Sequence, residues 1–312
     1  MIKIDDSSAS VFRKSLLTAA VVGFAVCSGL VNAQSANPFG APTEKVPNPA
    51  ANIVAAPGSR GQGWLGQGRS EVIARHGMVA TSDPLAAQAG LEILRQGGNA
   101  IDAAVAAAAV LDVTSQNDTG IAGDLFALVW SARDKKLYAL NSAGWAPALW
   151  TPEYFKQQLG VERVPGTGIN AATVPGAISG YDALLTRFGT MGFKQTFARA
   201  AQLAEEGWGQ AERRHRDLTS VQTKLRNDAD SNAVFLNDGE VPPLYSIIRN
   251  PDLASALRLI QQQGRDAFYK GAIADAIVAK MEADGGVMTH QDLADYESEW
   301  IEPVTTNYHG YD

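Results

Sequence analysis

The chain has little of what metal, redox and disulfide chemistry require. One cysteine, Cys27, stands among 312 residues, which excludes an intramolecular disulfide framework and a cysteine-rich zinc or iron–sulfur site. The four histidines, His76, His215, His290 and His309, form no HxxxH or HxH spacing, so no metal site is implied. Positive charge is also short. Lys+Arg 26 against Asp+Glu 33 leave a net −7, the wrong balance for a protein that gathers cations against a phosphate backbone, and no nucleic-acid partner is expected. What is present is an ordinary globular composition. With 46% apolar and 19% charged side chains, the chain is too apolar for a disordered protein and too polar for a multi-span membrane protein.

The N-terminus reads as an address. Lys3, Arg13 and Lys14 precede an apolar stretch from Leu16 to Val31, and Val31-Asn32-Ala33 offers a small-residue cleavage site. That is the architecture of a secretory signal peptide over residues 1–33, which implies a periplasmic or secreted protein without a stable membrane anchor after cleavage. Residues 34–70 carry Pro38, Pro42, Pro47, Pro49 and Pro57 with repeated glycines, a composition that sustains no periodicity and reads as a linker. Gly61-Gln62-Gly63-Trp64-Leu65-Gly66 fits GxGxxG, but the dinucleotide fingerprint needs a preceding strand and a following helix. Neither is evident there.

From residue 71 the chain becomes a folded domain. His76–Thr81 is a short β-prone run. Asp83 and Pro84 form a helix start, Leu85, Ala89 and Ile93 share a helical face, and Gly97-Gly98 ends the helix in a left-handed cap. Asn99 with Asp102 starts a second helix whose residues 100–111 have no polar face, so it belongs in the centre of the core. Leu125–Trp130 and Leu137–Asn141 flank the charged turn Arg133–Lys136. They predict a hairpin whose continuous apolar character suggests cover on both faces. Helices are predicted over Gly176–Phe188, Phe193–Glu206, 211–227, Pro251–Gln263 and Ala272–Ala283, with Thr289 and Asp292 capping a short one. Pro303–Tyr308 reads as a strand. Arg213-Arg214-His215-Arg216 reads as a solvated helix face balanced by nearby glutamates, and Asp124 as a turn residue. The fold class is α+β.

Several segments then align with one family. Gly77–Ser82, Pro84-Leu85-Ala86, Gly97–Ala106 and Gly120–Phe126 resemble the N-terminal part of γ-glutamyltransferases (glutathione hydrolases). Thr173-Val174-Pro175-Gly176, Phe188–Met191, Ala204–Gly207, Phe268–Gly271, Asp292–Tyr296 and Tyr308–Tyr311 follow in the same order. The resemblance spans roughly 72–312, and residues 71–312 are identified as the large-subunit part of such a domain. It implies an N-terminal-nucleophile hydrolase with a four-layer αββα sandwich, of which this chain supplies an incomplete, helix-rich part. It also implies an exported precursor that cleaves itself at a threonine. The new N-terminal Thr, activated by its own α-amine, attacks a γ-glutamyl amide such as glutathione. The partners so implied are a small-molecule γ-glutamyl or acyl amide and the small subunit of the same precursor, and the resemblance implies no cofactor.

Two departures bear on the chemistry. The family's nucleophile lies in a Thr-Thr-His motif, whereas Thr305-Thr306-Asn307 has Asn where His belongs, and Tyr308–Tyr311 matches a large-subunit strand instead. No catalytic residue is therefore assigned in this chain, which alone is expected to be inactive. Typical members hold the substrate α-carboxylate with an Arg shortly before an Ala-Pro pair, a guanidinium being suited to grip both oxygens. Here the text is Ala143-Gly144-Trp145-Ala146-Pro147, and the substrate-binding positions Ala143 and Trp145 carry no charge. A bulkier or less charged acyl group, as in cephalosporin-acylase-like relatives, is one consequence. A non-enzymatic secreted remnant of the family is another.

Overall fold

The computed structural model describes residues 72–311, which fall by contact into two units, one ending at Met78 and one beginning at Val79. The expected signal peptide and linker lie outside the described residues. Residues 72–78 carry no helix or strand, and His76–Thr81, expected as β-prone, contains no strand. A β-prone run needs a ladder partner, and none pairs with it among the described residues.

In the second unit, α1 (Pro84–Arg95) starts as read. Asp83 accepts a hydrogen bond from Leu85 N at 2.7 Å, with Pro84 at the first turn. It ends in a Schellman cap: Gly97 N donates to Leu94 O and Gly98 N to Ile93 O, with Gly97 at φ +91°. The central helix α2 (Ala100–Thr114) follows at once and packs against α1. Its alanines and valines are buried nearly all round, with Ala109, Val110 and Val113 wholly inaccessible. Such a helix is stable only inside other elements.

Three antiparallel strands form the main sheet: β1 (Leu125–Ser131), β2 (Lys136–Ser142) and, on the other side of β2, β5 (Glu299–Ile301). The register sets Leu125 opposite Ser142 and Leu140 opposite Trp300. Two expectations are corrected here. The last strand lies at β5 rather than Pro303–Tyr308. Trp300 is the residue that packs inward, against Phe188 and Tyr138, whereas Val304 is 98% exposed and Pro303 has no N–H to donate. The hairpin is also covered on one face only by the described residues. Val129 faces the core, while Phe126, Leu128 and Trp130 are 63–70% exposed. Continuous apolar character says that both faces want cover, not which segment supplies it.

Helices complete the unit. In α3 (Ala177–Phe188), Ile178, Tyr181 and Leu184 point into the core. The single helix expected over Phe193–Glu206 is two, α4 (Phe193–Thr196) and α5 (Ala198–Glu206), broken at Phe197. The Thr196 hydroxyl donates to Gly192 O, and the wholly buried Phe197 ring sits 4.9 Å from Phe193 and 5.9 Å from Tyr181. Burying that ring outweighs a straight helix. A two-residue ladder, β3 (Trp208–Gly209) with β4 (Ile247–Ile248), brackets α6 (Glu212–Arg226) and α7 (Ala229–Phe235). These two helices bury their own cluster of Leu218, Leu225, Phe235 and Leu236. Next come α8 (Pro251–Gln263), α9 (Asp266–Tyr269), α10 (Ala272–Ala283) and α11 (His290–Ala294). The last opens with a reciprocal Thr289–Asp292 capping box.

Arg213–Arg216 is not the wholly solvated face expected. Arg214 is 8% exposed and lies over the Trp208 ring at 5.1 Å. The spacing 214, 218, 225 puts Arg214 on the same inward stripe of α6 as Leu218 and Leu225, so it goes in with them.

Candidate functional site

β2 ends at Ser142, and the next residues cross a tightly tied junction. Gly144 N donates to Asp124 Oδ1 at 2.6 Å, and Val174 N donates to Trp145 O at 2.8 Å. Gly123 O accepts from both Gly176 N and Ala177 N, which fastens the Gly120–Asp124 turn to the start of α3. Asp124, read as a turn residue, is therefore also a clamp on the 143–145 segment. Its carboxyl reaches solvent, yet desolvation by the protein around it raises its pKa, with the Gly144 N–H opposing.

Behind the segment lies a group of hydroxyls and rings. Tyr296 OH donates to Ala143 O at 2.8 Å, and Ser142 Oγ donates to Gly176 O at 2.8 Å. Ser298 Oγ is 2.6 Å from Ser142 Oγ and 2.8 Å from Ser179 Oγ. Trp145 tilts against Tyr296 with ring centroids 4.9 Å apart, and Tyr296 stacks on Tyr269 at 5.8 Å. Tyr269 OH in turn donates to Pro175 O at 2.7 Å. Desolvation pushes the Tyr296 phenol pKa up; Asp124 and Glu299 add to this while Ser142 opposes. A raised phenol stays protonated and keeps its donor role. Gly176 is required by the closeness of this packing, since a Cβ there would meet Ser142 O and come within 2.6 Å of Tyr296 OH.

The sequence-derived positions Ala143 and Trp145 are thus brought to one place. Ala143 is half-buried and held by its carbonyl. Trp145 is 42% exposed, with one side against Tyr296. No cationic side chain occurs from Asn141 to Pro147. Thr305 and Thr306 stand exposed, away from any helix or strand. Sequence reading missed Tyr296 as the support of this seat, although Asp292–Tyr296 was among the recognisable segments. It also missed Asp112. That carboxylate is fully buried and receives hydrogen bonds from Thr119 Oγ1 and, at 3.0 Å, Tyr181 OH. Desolvation still raises its pKa to about 6. Among the described residues no three His, Cys, Asp or Glu side chains are grouped to hold a metal ion.

A helix-rich α+β body of this kind is found among the N-terminal-nucleophile hydrolases of known structure. The γ-glutamyltranspeptidase of Helicobacter pylori superposes with a TM-score of 0.73 at 32% identity, over 77% of this chain and 70% of that one. Cephalosporin acylase from Bacillus halodurans gives 0.71 at 36% identity, over 78% and 47%. The Gamma-glutamyltranspeptidase family profile matches residues 86–312, and the chain belongs to that family. The glutathione hydrolase proenzyme of Bacillus subtilis (strain 168) is 36% identical over 244 residues, which are 77% of this chain and 41% of that protein. The chain thus spans less than half the length of the curated relatives it matches.

Proposed function

We propose that this chain is the large-subunit portion of a secreted, self-processing hydrolase or acyltransferase that opens small amides, γ-glutamyl amides such as glutathione being its family substrate class. The nucleophilic Thr lies outside the described residues. Its hydroxyl oxygen forms an ester with the acyl group as the amide C–N bond breaks. The hydroxyl proton passes through the Thr α-amine to the leaving amine, and water or an acceptor amine then releases the acyl group. The signal peptide delivers the precursor to the periplasm or beyond, and among the described residues no helix is long and apolar enough to cross a membrane. The open apolar face of Phe126, Leu128 and Trp130 is the surface that the small subunit covers.

The observation that carries the substrate reading is the 143–145 segment. Where relatives are expected to hold a carboxylate with Arg, this chain presents Ala143 and the Trp145–Tyr296 shelf. That favours a second reading within the same mechanism, an acylase taking a bulkier and less charged acyl group, and one solved relative is a cephalosporin acylase. The test is to purify the protein carrying this chain, follow its processing on a denaturing gel, and assay anilide hydrolysis. Two fragments and p-nitroaniline release are expected. An uncleaved chain inert toward γ-glutamyl and neutral acyl anilides alike would instead leave a non-enzymatic remnant.

A further inference from the structure

Away from the 143–145 junction, a cavity of about 310 Å3 opens between the start of α1, the end of α2 and the β3–α6 corner. Its walls include Pro84, Leu85, Thr114, Trp208, Arg213 and Arg214. Arg213 is spoken for: it pairs with Asp118 at 3.0 Å and with Asp217 at 3.5 Å. Arg214 is different. It is more than nine-tenths buried, makes no ion pair with any described carboxylate, and has one polar partner, Gln116 Oε1 at 3.3 Å. Its Nη1 has no hydrogen-bond partner among the described residues. The same is true of Thr114 Oγ1 and Trp208 Nε1, which line the same cavity, and of both amide atoms of the neighbouring, wholly buried Gln210.

A buried guanidinium without a counter-ion costs several kcal/mol in desolvation, and unpaired buried donors cost about 1–3 kcal/mol each. Burial lowers the Arg214 pKa only to about 10, so it stays charged at neutral pH. Buried polar groups left unmet in this way call for a partner, whether a water, an ion or a ligand. We propose that this cavity is a second binding site, for a small monocarboxylate whose carboxylate seats on Arg214 and whose apolar body lies against Trp208, Pro84 and Leu85. Size and charge narrow the class. The volume is at the small end of ligand sites. Asp83, Asp118 and Asp217 also line it against Arg213 and Arg214, so any anion meets one excess negative charge, and a dianion such as phosphate is repelled about twice as strongly as a monoanion. This inference stands apart from the amide-cleavage reading, and its test does not use that activity.

The probes are acetate, butyrate and inorganic phosphate, titrated by calorimetry into the purified protein carrying this chain. Saturable binding of butyrate, tighter than acetate and much tighter than phosphate, is expected. Arg214→Met should weaken it at least about tenfold, the factor one charge-assisted hydrogen bond supports. Thr114→Val, nearly isosteric, should weaken it about threefold and decides the matter if Arg214→Met does not fold. Three results would overturn the site: no saturable binding in the wild type, as for a cavity holding only water; affinity unchanged in folded Arg214→Met or, failing that, Thr114→Val; or phosphate binding at least as tightly as butyrate.

Discussion

Asp102 is the residue whose replacement the structure constrains most closely. Its side chain is wholly buried at the first turn of α2 and accepts from Asn99 N at 2.8 Å, Thr190 N at 3.0 Å, Thr190 Oγ1 at 2.7 Å and Met191 N at 3.0 Å. It therefore caps the central helix and ties it to the turn after α3. Desolvation alone would raise its pKa, but the hydrogen bonds from Thr190, Asn99 and Met191 outweigh it and the pKa falls. In Asp102→Asn one oxygen becomes an NH2 group, so two of the four donors lose their acceptor and face another donor. At about 1–3 kcal/mol for each, with the Thr190 hydroxyl able to turn toward solvent, the loss is about 3 kcal/mol. For a domain of this size that lowers the unfolding midpoint by about 6–12 °C. A carboxylate with a lowered folded pKa contributes stability above its unfolded pKa of 3.8 and loses it as pH falls through the folded value. The gap between wild type and Asp102→Asn should therefore be full at pH 7 and shrink below about pH 4. Chemical denaturation of both proteins in a series from pH 7 down to about pH 2 measures it. A difference under about 0.5 kcal/mol at pH 7, or one that does not narrow in acid, would refute the reasoning.

Asp112 should behave in the opposite sense. Its folded pKa of about 6 lies above the usual 3.8, so the folded state binds the extra proton and stability falls as pH rises from about 4 to 6, by up to about 3 kcal/mol. Asp112→Asn should flatten that slope in a denaturation series, and an unchanged slope would count against a titrating Asp112. Gly176→Ala should cost about 3 kcal/mol or prevent folding, because its Cβ meets a backbone carbonyl that cannot turn away. Soluble expression and a thermal scan read this out, and a variant as stable as wild type would show the Ser142–Gly176 contact to be looser than drawn.

The parts of the fold legible beforehand are those written in local chemistry. Asp83, Asn99 with Asp102, and Thr289 with Asp292 mark helix starts through their own side-chain oxygens, and α8 and α10 have the expected ends to the residue. What stayed hidden depends on partners distant in sequence. β5 is a strand because β2 offers it an edge, and α4 and α5 are separate because the core has a place for the Phe197 ring. Arg214 looks like its solvated neighbours until the Leu218 stripe of α6 shows which way it points. In the candidate site, Ala143 and Trp145 are proposed from resemblance alone, since a missing Arg is visible in one dimension. Tyr296, some 150 residues away, joins them only when β5 and α11 bring it back under the junction.

The most direct test of that uncharged seat is a matched pair of substrates. γ-Glutamyl p-nitroanilide and 4-aminobutyryl p-nitroanilide differ only in the α-carboxylate, and kcat/KM for each is to be measured with the processed protein carrying this chain. A site with a bidentate Arg would favour the first by about ten- to hundredfold or more, from about 1.5–3 kcal/mol for hydrogen bonds to a charged group. With Ala143 and Trp145 in place, the two values should lie within about tenfold of each other. A hundredfold preference for the γ-glutamyl compound would contradict the uncharged seat and require a carboxylate grip elsewhere.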